Sequence, residues 1–260
     1  MPPPRAGTTL PEWTLASDGF VHGQPAWLVL AVGAVTLLMS VIAADEPAAV
    51  ARGAGSPHAG RWEQEVAALE MLDREVAEPG GIAFVGSSNI RLWKSLADDF
   101  PGWRVHRRGV GGSHLADLAP VILRLVGSSR PGVIVVSAGI NDIHAGRSPE
   151  QVAEAFADLV ATVRAGLPGT RILFLAIAPS FARWSERDEQ FRANALLREF
   201  IAAQAPRADI GYVDVGDAYL RPNGLPAPEC FVDDGLHPTR VGYARRAAWL
   251  RPYLERWLIP

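Results

Sequence analysis

The chain has 260 residues and a formal net charge of −3, with 25 Lys and Arg against 28 Asp and Glu. This near balance argues against a nucleic-acid-binding surface, and the length suits one sizeable domain with additional sequence. The single cysteine, Cys230, excludes an intrachain disulfide and a cysteine-based metal site. Export remains compatible with this composition, because a secreted domain of this size needs no disulfides.

The amino-terminal part of the chain divides by composition into three segments. Residues 1–25 are rich in Pro, Gly and Thr without periodicity, which predicts a disordered leader. Residues 26–44 carry no charged side chain over about 19 positions, enough to cross a bilayer as a helix. We interpret them as a transmembrane anchor or a signal segment, with a misassigned start codon as the alternative. Residues 45–60 form a linker, so we expect an exported (periplasmic or extracellular) or membrane-anchored protein.

Residues 61–260 alternate short apolar runs with segments of helical periodicity. Helices are expected at 61–78, 88–100 and 113–125, then from 148, at about 188–204, and at 239–257. The apolar runs predict five buried strands, at 82–85, 103–106, 133–137, 171–178 and 212–215. This alternation predicts one domain of α/β class, a doubly wound parallel sheet with helices on both faces.

Polar or glycine-rich residues follow the predicted strands at their carboxyl ends, where open α/β sheets bind ligands. Ser87 and Ser88 follow the first strand, Gly111 and Gly112 the second, and Asn141 the third. A serine there is a candidate nucleophile. The N–H groups of Ser88 and Gly112 and the side-chain amide of Asn141 are candidate donors to an oxyanion.

A base for such a serine is available beyond the fifth strand. Asp234 and His237 lie three residues apart, with Gly235 between them and Pro238 after them. This spacing allows the carboxylate to meet Nδ1 of the imidazole and leaves Nε2 free to take a serine proton. The adjacent Asp233 is expected to be solvated.

Together these segments resemble the four blocks of the SGNH hydrolases, also called GDSL esterases/lipases. The resemblance covers about residues 82–250 and implies a flavodoxin-like three-layer α/β/α sandwich. It implies a serine esterase that cleaves carboxylic esters, on carbohydrate or lipid, through an acyl-enzyme. It also implies Ser88 as nucleophile, Asp234 as orienting acid, His237 as base, and Ser88, Gly112 and Asn141 as the oxyanion hole. The blocks are Gly86-Ser87-Ser88, Gly109-Val110-Gly111-Gly112, Gly139-Ile140-Asn141-Asp142 and Asp234-Gly235-Leu236-His237.

Two positions depart from the family pattern. Ser87 stands where the family usually has Asp, so Ser87 is a rival nucleophile. We prefer Ser88 because it is the second residue after Gly86. Arg107 stands where the family often has Asn, and we assign it no role.

No metal or cofactor is expected. The sequence contains no ligand cluster such as HExxH, and His114 occupies the last glycine position of a dinucleotide fingerprint. We interpret His106, His114 and His144 as surface or packing residues, and Trp184 as either lining the pocket or packing.

Two other functions remain open. One is an O-acyltransferase that uses the same residues with a sugar hydroxyl in place of water. The other is a non-catalytic binding module, which would not need Ser88, Asp234 and His237 together. The expected partner is a small-molecule, lipid or carbohydrate ester, with a membrane contact through residues 26–44 if that segment is uncleaved. No nucleic-acid partner is expected.

Overall fold

The computed structural model describes residues 60–76, 78–204 and 209–258. The expectations for residues 1–25, 26–44 and all of 45–60 except Gly60 lie outside these ranges. Within them, no helix is both long and apolar enough to cross a membrane. The strands are β1 (Ile82–Gly86), β2 (Val105–Gly109), β3 (Val133–Ser137), β4 (Arg171–Leu175) and β5 (Ile210–Val213). The helices are α1 (Glu63–Arg74), α2 (Ser88–Arg91), α3 (Leu96–Asp99), α4 (Leu115–Leu118), α5 (Ile122–Val126), α6 (Ile140–His144), α7 (Pro149–Gly166), α8 (Arg187–Ala203) and α9 (Arg240–Leu258).

The five strands form one parallel sheet in the order β2-β1-β3-β4-β5. This is the flavodoxin-like order, whose switch point lies between β1 and β3. Gly86 at the end of β1 pairs with Gly109 of β2 and Ser137 of β3. The segments that follow these three strands therefore leave the sheet side by side, at its carboxyl edge.

The sheet buries both of its faces, as expected of a parallel sheet between helices. Alternate strand residues point to opposite sides. Ala83, Val85, Ile134, Val136, Ile172 and Phe174 pack with α1, α4, α5, α7 and α8. Ile82, Phe84, Val133, Val135, Leu173 and Leu175 pack with α2, α3 and α9. The predicted three-layer α/β/α sandwich with a five-stranded parallel sheet is confirmed.

Two helices expected to be continuous are each broken in two. The segment 113–125 forms α4 and α5, with Pro120 between them. Proline lacks the N–H that would continue the helix, and its ring clashes with the preceding turn. Ser113 also does not cap this helix as predicted: its hydroxyl bonds to the carbonyl of Val110, and His114 is the capping residue. The segment 88–100 similarly divides into α2 and α3.

Other local signals predict the structure well. Ser148 and Gln151 form a reciprocal capping box at the start of α7, where Pro149 is the first helical residue. Thr239 accepts the N–H of Gly242 at 3.2 Å and so caps α9 as predicted. The β2 strand begins two residues later than expected and continues to Gly109.

Candidate active site

The turn after β1 places Ser88 at the carboxyl edge of the sheet. A Cβ at Gly86 would collide with the carbonyl oxygen of Ser137 on the neighbouring strand, so only glycine fits there. The chain then turns through Ser87, which is 1% exposed, into the first turn of α2. Ser88 begins that helix, so its N–H has no carbonyl partner within the helix.

The three side chains predicted to be catalytic are linked in series by hydrogen bonds. The hydroxyl oxygen of Ser88 is 2.9 Å from Nε2 of His237, although the two residues are 149 positions apart. Nδ1 of His237 is 2.6 Å from Oδ2 of Asp234. Because an ionised carboxylate only accepts hydrogen bonds, Nδ1 carries the proton and Nε2 accepts from the serine hydroxyl. The arrangement therefore provides a hydroxyl, a proton acceptor and a carboxylate that fixes the tautomer.

The loop from Asp234 to His237 is organised by the carboxylate itself. Oδ1 of Asp234 accepts the backbone N–H groups of Leu236 at 2.8 Å and His237 at 2.9 Å, and Gly235 has a positive φ of 65°. Burial disfavours the charged form of Asp234. The hydrogen bonds from the side chain and backbone of His237 and the backbone of Leu236 outweigh burial and lower the pKa of Asp234 to about 2. The carboxylate is therefore ionised throughout the neutral range.

The three candidate oxyanion donors all follow strands at this edge of the sheet. Gly112 adopts a left-handed conformation with φ of 75°, in the loop after β2. The side-chain amide of Asn141, on α6, donates to the carbonyl of the adjacent Ser113 at 3.1 Å. An amide nitrogen has a second hydrogen, which is available to another acceptor. The neighbouring Gly111 peptide is held on both sides, since Glu65 accepts its N–H and Trp62 donates to its carbonyl.

Asp142 is a positioning element that the sequence did not reveal. Its carboxylate is fully buried and accepts the N–H of Leu115 at 3.1 Å, which ties the start of α4 to α6. Burial raises the pKa of Asp142, even though the bond from Leu115 favours the ionised form. The available signal was the place of Asp142 in the third sequence block, directly after Asn141.

The remaining candidates take no direct part in this arrangement. Asp233 is exposed, as expected. Arg107 donates to the backbone carbonyl of Arg91. Trp184 is partly buried under the guanidinium of Arg187, 5.1 Å from its ring centre.

Each of the three histidines interpreted as surface or packing residues has polar contacts of its own. His106 and His114 are buried, with Nε2 of His106 3.0 Å from the carbonyl oxygen of Gly80. His144 is exposed and lies 2.7 Å from Glu186. Across residues 60–76, 78–204 and 209–258, no group of three or more His, Cys, Asp or Glu side chains is arranged to hold a metal.

The model of the GDSL-like lipase/acylhydrolase family matches residues 77–245. No curated protein matches the chain in sequence. A solved structure from Streptococcus pneumonia, described as a platelet activating factor, is 20% identical with a TM-score of 0.67, covering 75% of this chain and 93% of its own.

Two further structures share the fold at similar identity. A GDSL-like lipase from Bacteroides thetaiotaomicron is 21% identical with a TM-score of 0.56, covering 75% of this chain and 96% of its own. A carbohydrate esterase of family 3 from Talaromyces cellulolyticus is 18% identical with a TM-score of 0.54, covering 68% of this chain and 97% of its own.

Proposed function

The chain belongs to the GDSL-like lipase/acylhydrolase family, whose members hydrolyse esters, and we propose that it is a serine esterase that works through an acyl-enzyme intermediate. The observation that carries this proposal is the chain of hydrogen bonds from Ser88 through His237 to Asp234. Binding alone has no need of a hydroxyl, an imidazole and a carboxylate in this order. A serine nucleophile does need them, because its hydroxyl is weakly reactive without a base.

In the proposed reaction, Oγ of Ser88 attacks the ester carbonyl while Nε2 of His237 takes the hydroxyl proton. The carbonyl oxygen becomes an oxyanion that accepts the N–H groups of Ser88 and Gly112 and the free hydrogen of the Asn141 amide. Collapse of this intermediate expels the alcohol, which takes the proton from His237, and leaves the acyl group on Ser88. A water molecule, deprotonated by His237, then repeats the sequence and releases the carboxylic acid.

We propose an acyl group on a carbohydrate or lipid alcohol as the substrate. Support comes from the family and from structural relatives that are described as a GDSL-like lipase and a carbohydrate esterase. A panel of acyl esters, assayed with and without sugar acceptors, tests the substrate class. Release of free acid at a rate independent of the acceptor is the expected result, and transfer of the acyl group to the sugar in preference to water would contradict hydrolysis.

The nucleophile is tested by substitution and covalent labelling. Ser88→Ala should abolish hydrolysis and labelling by a fluorophosphonate. Ser87→Ala is the matched control, because the Ser87 side chain makes no capping hydrogen bond to α2, and it should retain substantial activity. A label found on Ser87 by peptide mass analysis would overturn the assignment.

We also propose that residues 26–44 export the enzyme or anchor it to a membrane, because the segment is apolar over a bilayer-spanning length. In a bacterial host, the full chain should fractionate with membranes or be cleaved near residue 44. An intact chain in the soluble cytoplasm would refute both routes.

A further inference from the structure

Arg246 on α9 is a buried cation with no anionic partner among the described residues. Its residue is 3% exposed, and guanidinium groups stay protonated in proteins. No carboxylate in the described part of the chain forms an ion pair with Arg246, and its Nε and Nη1 atoms have no hydrogen-bond partner there. An uncompensated buried charge is strongly destabilising, so this position requires an explanation.

The other buried arginine of the described residues shows how the fold ordinarily solves this problem. Arg108 is 5% exposed and lies 3.2 Å from the buried carboxylate of Asp73, and its Nε donates to the carbonyl of Leu125 at 2.9 Å. Arg245, the neighbour of Arg246 in sequence, is more exposed and pairs with Glu229 at 2.8 Å. Arg246 is therefore the exception within one protein.

Aromatic rings compensate only part of the Arg246 charge. The guanidinium carbon lies 5.3 Å from the ring centre of Tyr219, 5.6 Å from that of Trp93 and 6.0 Å from that of Tyr243. Such cation–π contacts stabilise the charge through the face of the guanidinium. The N–H groups lie in the plane of the guanidinium, so rings against its face provide no acceptor for Nε and Nη1.

The unpartnered atoms of Arg246 share a cavity with three others. A cavity of about 10 Å³ is lined by Asn89, Ser180, Tyr219 and Arg246. Each of the four has a buried polar atom that makes no well-formed hydrogen bond within the described part of the chain. These atoms are Oδ1 of Asn89 and the hydroxyl oxygens of Ser180 and Tyr219. A second cavity, of about 20 Å³, is also lined by Asn89 and Arg246 and adjoins the first. One water-sized particle needs ~10–15 Å³, so the space admits one or two such particles.

The chemistry of this lining selects the ligand. Burial raises the pKa of Tyr219 and so keeps its phenol protonated, while the charge of Arg246 and a weak hydrogen bond from its guanidinium oppose that effect. That contact falls short of a well-formed hydrogen bond, so the phenol can still donate to a ligand. The cavity therefore presents hydroxyl donors from Ser180 and Tyr219 and N–H donors from Arg246, with a single carbonyl acceptor from Asn89. A water molecule would satisfy some of these donors and leave the charge uncompensated. A monatomic anion needs less room than sulfate, phosphate or a carboxylate, so it suits these small cavities best.

We propose that Arg246, Ser180 and Tyr219 bind a small monovalent anion of the chloride class in this cavity. The site is lined by sequence neighbours of the candidate catalytic residues. Asn89 follows Ser88 in sequence, and the same cavity is lined by Leu236 and Pro238, the two neighbours of His237. The anion neutralises a fixed positive charge in the wall that supports the serine and the histidine. This binding does not depend on ester hydrolysis, so it is tested by stability and diffraction.

The test measures thermal unfolding of the full chain while chloride replaces gluconate at constant ionic strength. The expected result is a saturable rise in Tm of about 5 °C, with bromide acting in the same way. Ser180→Ala should raise the half-saturating chloride concentration about tenfold, because it removes one donor to a charged ligand. Arg246→Met should abolish the response, and Arg245→Met, the matched control, should preserve it.

Diffraction from bromide-soaked crystals should give an anomalous peak beside the Arg246 guanidinium. Equal Tm values in chloride and gluconate, or a cavity that holds only water in bromide, would overturn the proposal. If Arg246→Met does not fold, the wild-type anion series, Ser180→Ala and the bromide peak still decide the outcome.

Discussion

Asp234→Asn separates the chemical role of the carboxylate from its structural role. Oδ1 accepts the two backbone N–H groups of Leu236 and His237, whereas Oδ2 faces Nδ1 of the imidazole. An asparagine can keep its oxygen on the two backbone groups and so preserve the turn. Its NH₂ group then faces Nδ1 and cannot accept a proton from it.

This change should therefore leave the loop folded and invert the imidazole tautomer. With Nδ1 forced to accept, Nε2 carries the proton and can no longer take one from Ser88. The corresponding substitution in a serine protease lowers kcat by ~10⁴-fold. We expect a loss of about 10³- to 10⁴-fold here, equivalent to about 4–5.5 kcal/mol of transition-state stabilisation.

The stability cost should be much smaller than the catalytic one. The lowered pKa of Asp234 means that its ionised form stabilises the folded protein, an effect present above the unfolded pKa and lost as the pH falls through about 2. Because the side chain is 48% exposed, solvent screening limits this contribution to about 1 kcal/mol. The difference in stability between wild type and Asp234→Asn should therefore shrink between about pH 4 and pH 2.

The assay compares kcat/KM and urea unfolding at neutral pH for the wild type, Asp234→Asn and the exposed neighbour Asp233→Asn. Asp233→Asn should lie within about twofold of the wild type in rate. If Asp234→Asn retains more than a tenth of wild-type activity, or if Asp233→Asn loses more than Asp234→Asn, the assigned orientation of His237 is wrong.

Three further predictions follow from the same geometry. Activity should fall on the acid side with unit slope in log kcat/KM, because a single base must be neutral to take the serine proton and Asp234 stays ionised down to a pKa of about 2; a slope of two would reveal a second essential group. Asp142→Ala leaves the buried N–H of Leu115 unpaired and should cost about 1–3 kcal/mol in urea unfolding. Asp142→Asn retains an acceptor and removes a carboxylate whose pKa is raised by burial, so it should cost far less stability than Asp142→Ala. Equal losses of stability in the two variants would contradict this reasoning. Exhaustive chelation should leave the hydrolysis rate unchanged, and a rate restored only by added Zn²⁺ or Mn²⁺ would contradict a metal-free reaction.

Local patterns in the sequence predict most of the fold. The run at 133–137 matches β3 residue for residue, and the Ser148 capping box begins α7 where expected. Both signals act between neighbouring residues, so one sequence is enough to detect them. The continuous helix predicted for 113–125 is wrong, because the apolar spacing runs across Pro120, which cannot continue a helix.

In the candidate site too, contacts between residues close in sequence were predictable and contacts between distant residues were not. The contact between Asp234 and His237 spans three residues and was predictable from their spacing. The support of Gly111 by Trp62 and Glu65 spans 49 and 46 residues, and nothing in the local pattern of α1 distinguishes these side chains from ordinary surface positions. Arg246 was equally invisible, because its burial depends on how α9 packs against the sheet.

The distance between Ser88 and His237 depends on that packing of α9. His237 lies just before α9, whereas Ser88 lies after β1, so the two approach each other only when the helix docks. Tyr243 of α9 provides a direct link: its ring stacks on Trp93 with centres 5.1 Å apart, and its hydroxyl donates to the carbonyl of Asn89 at 3.1 Å. Burial raises the pKa of Tyr243 to about 12, so the hydroxyl keeps its proton at any working pH. This hydrogen bond therefore reaches Asn89, the residue directly after Ser88. The helix that follows the base is therefore anchored to the turn that carries the nucleophile, and Arg246 lies on the same helix, three residues beyond Tyr243.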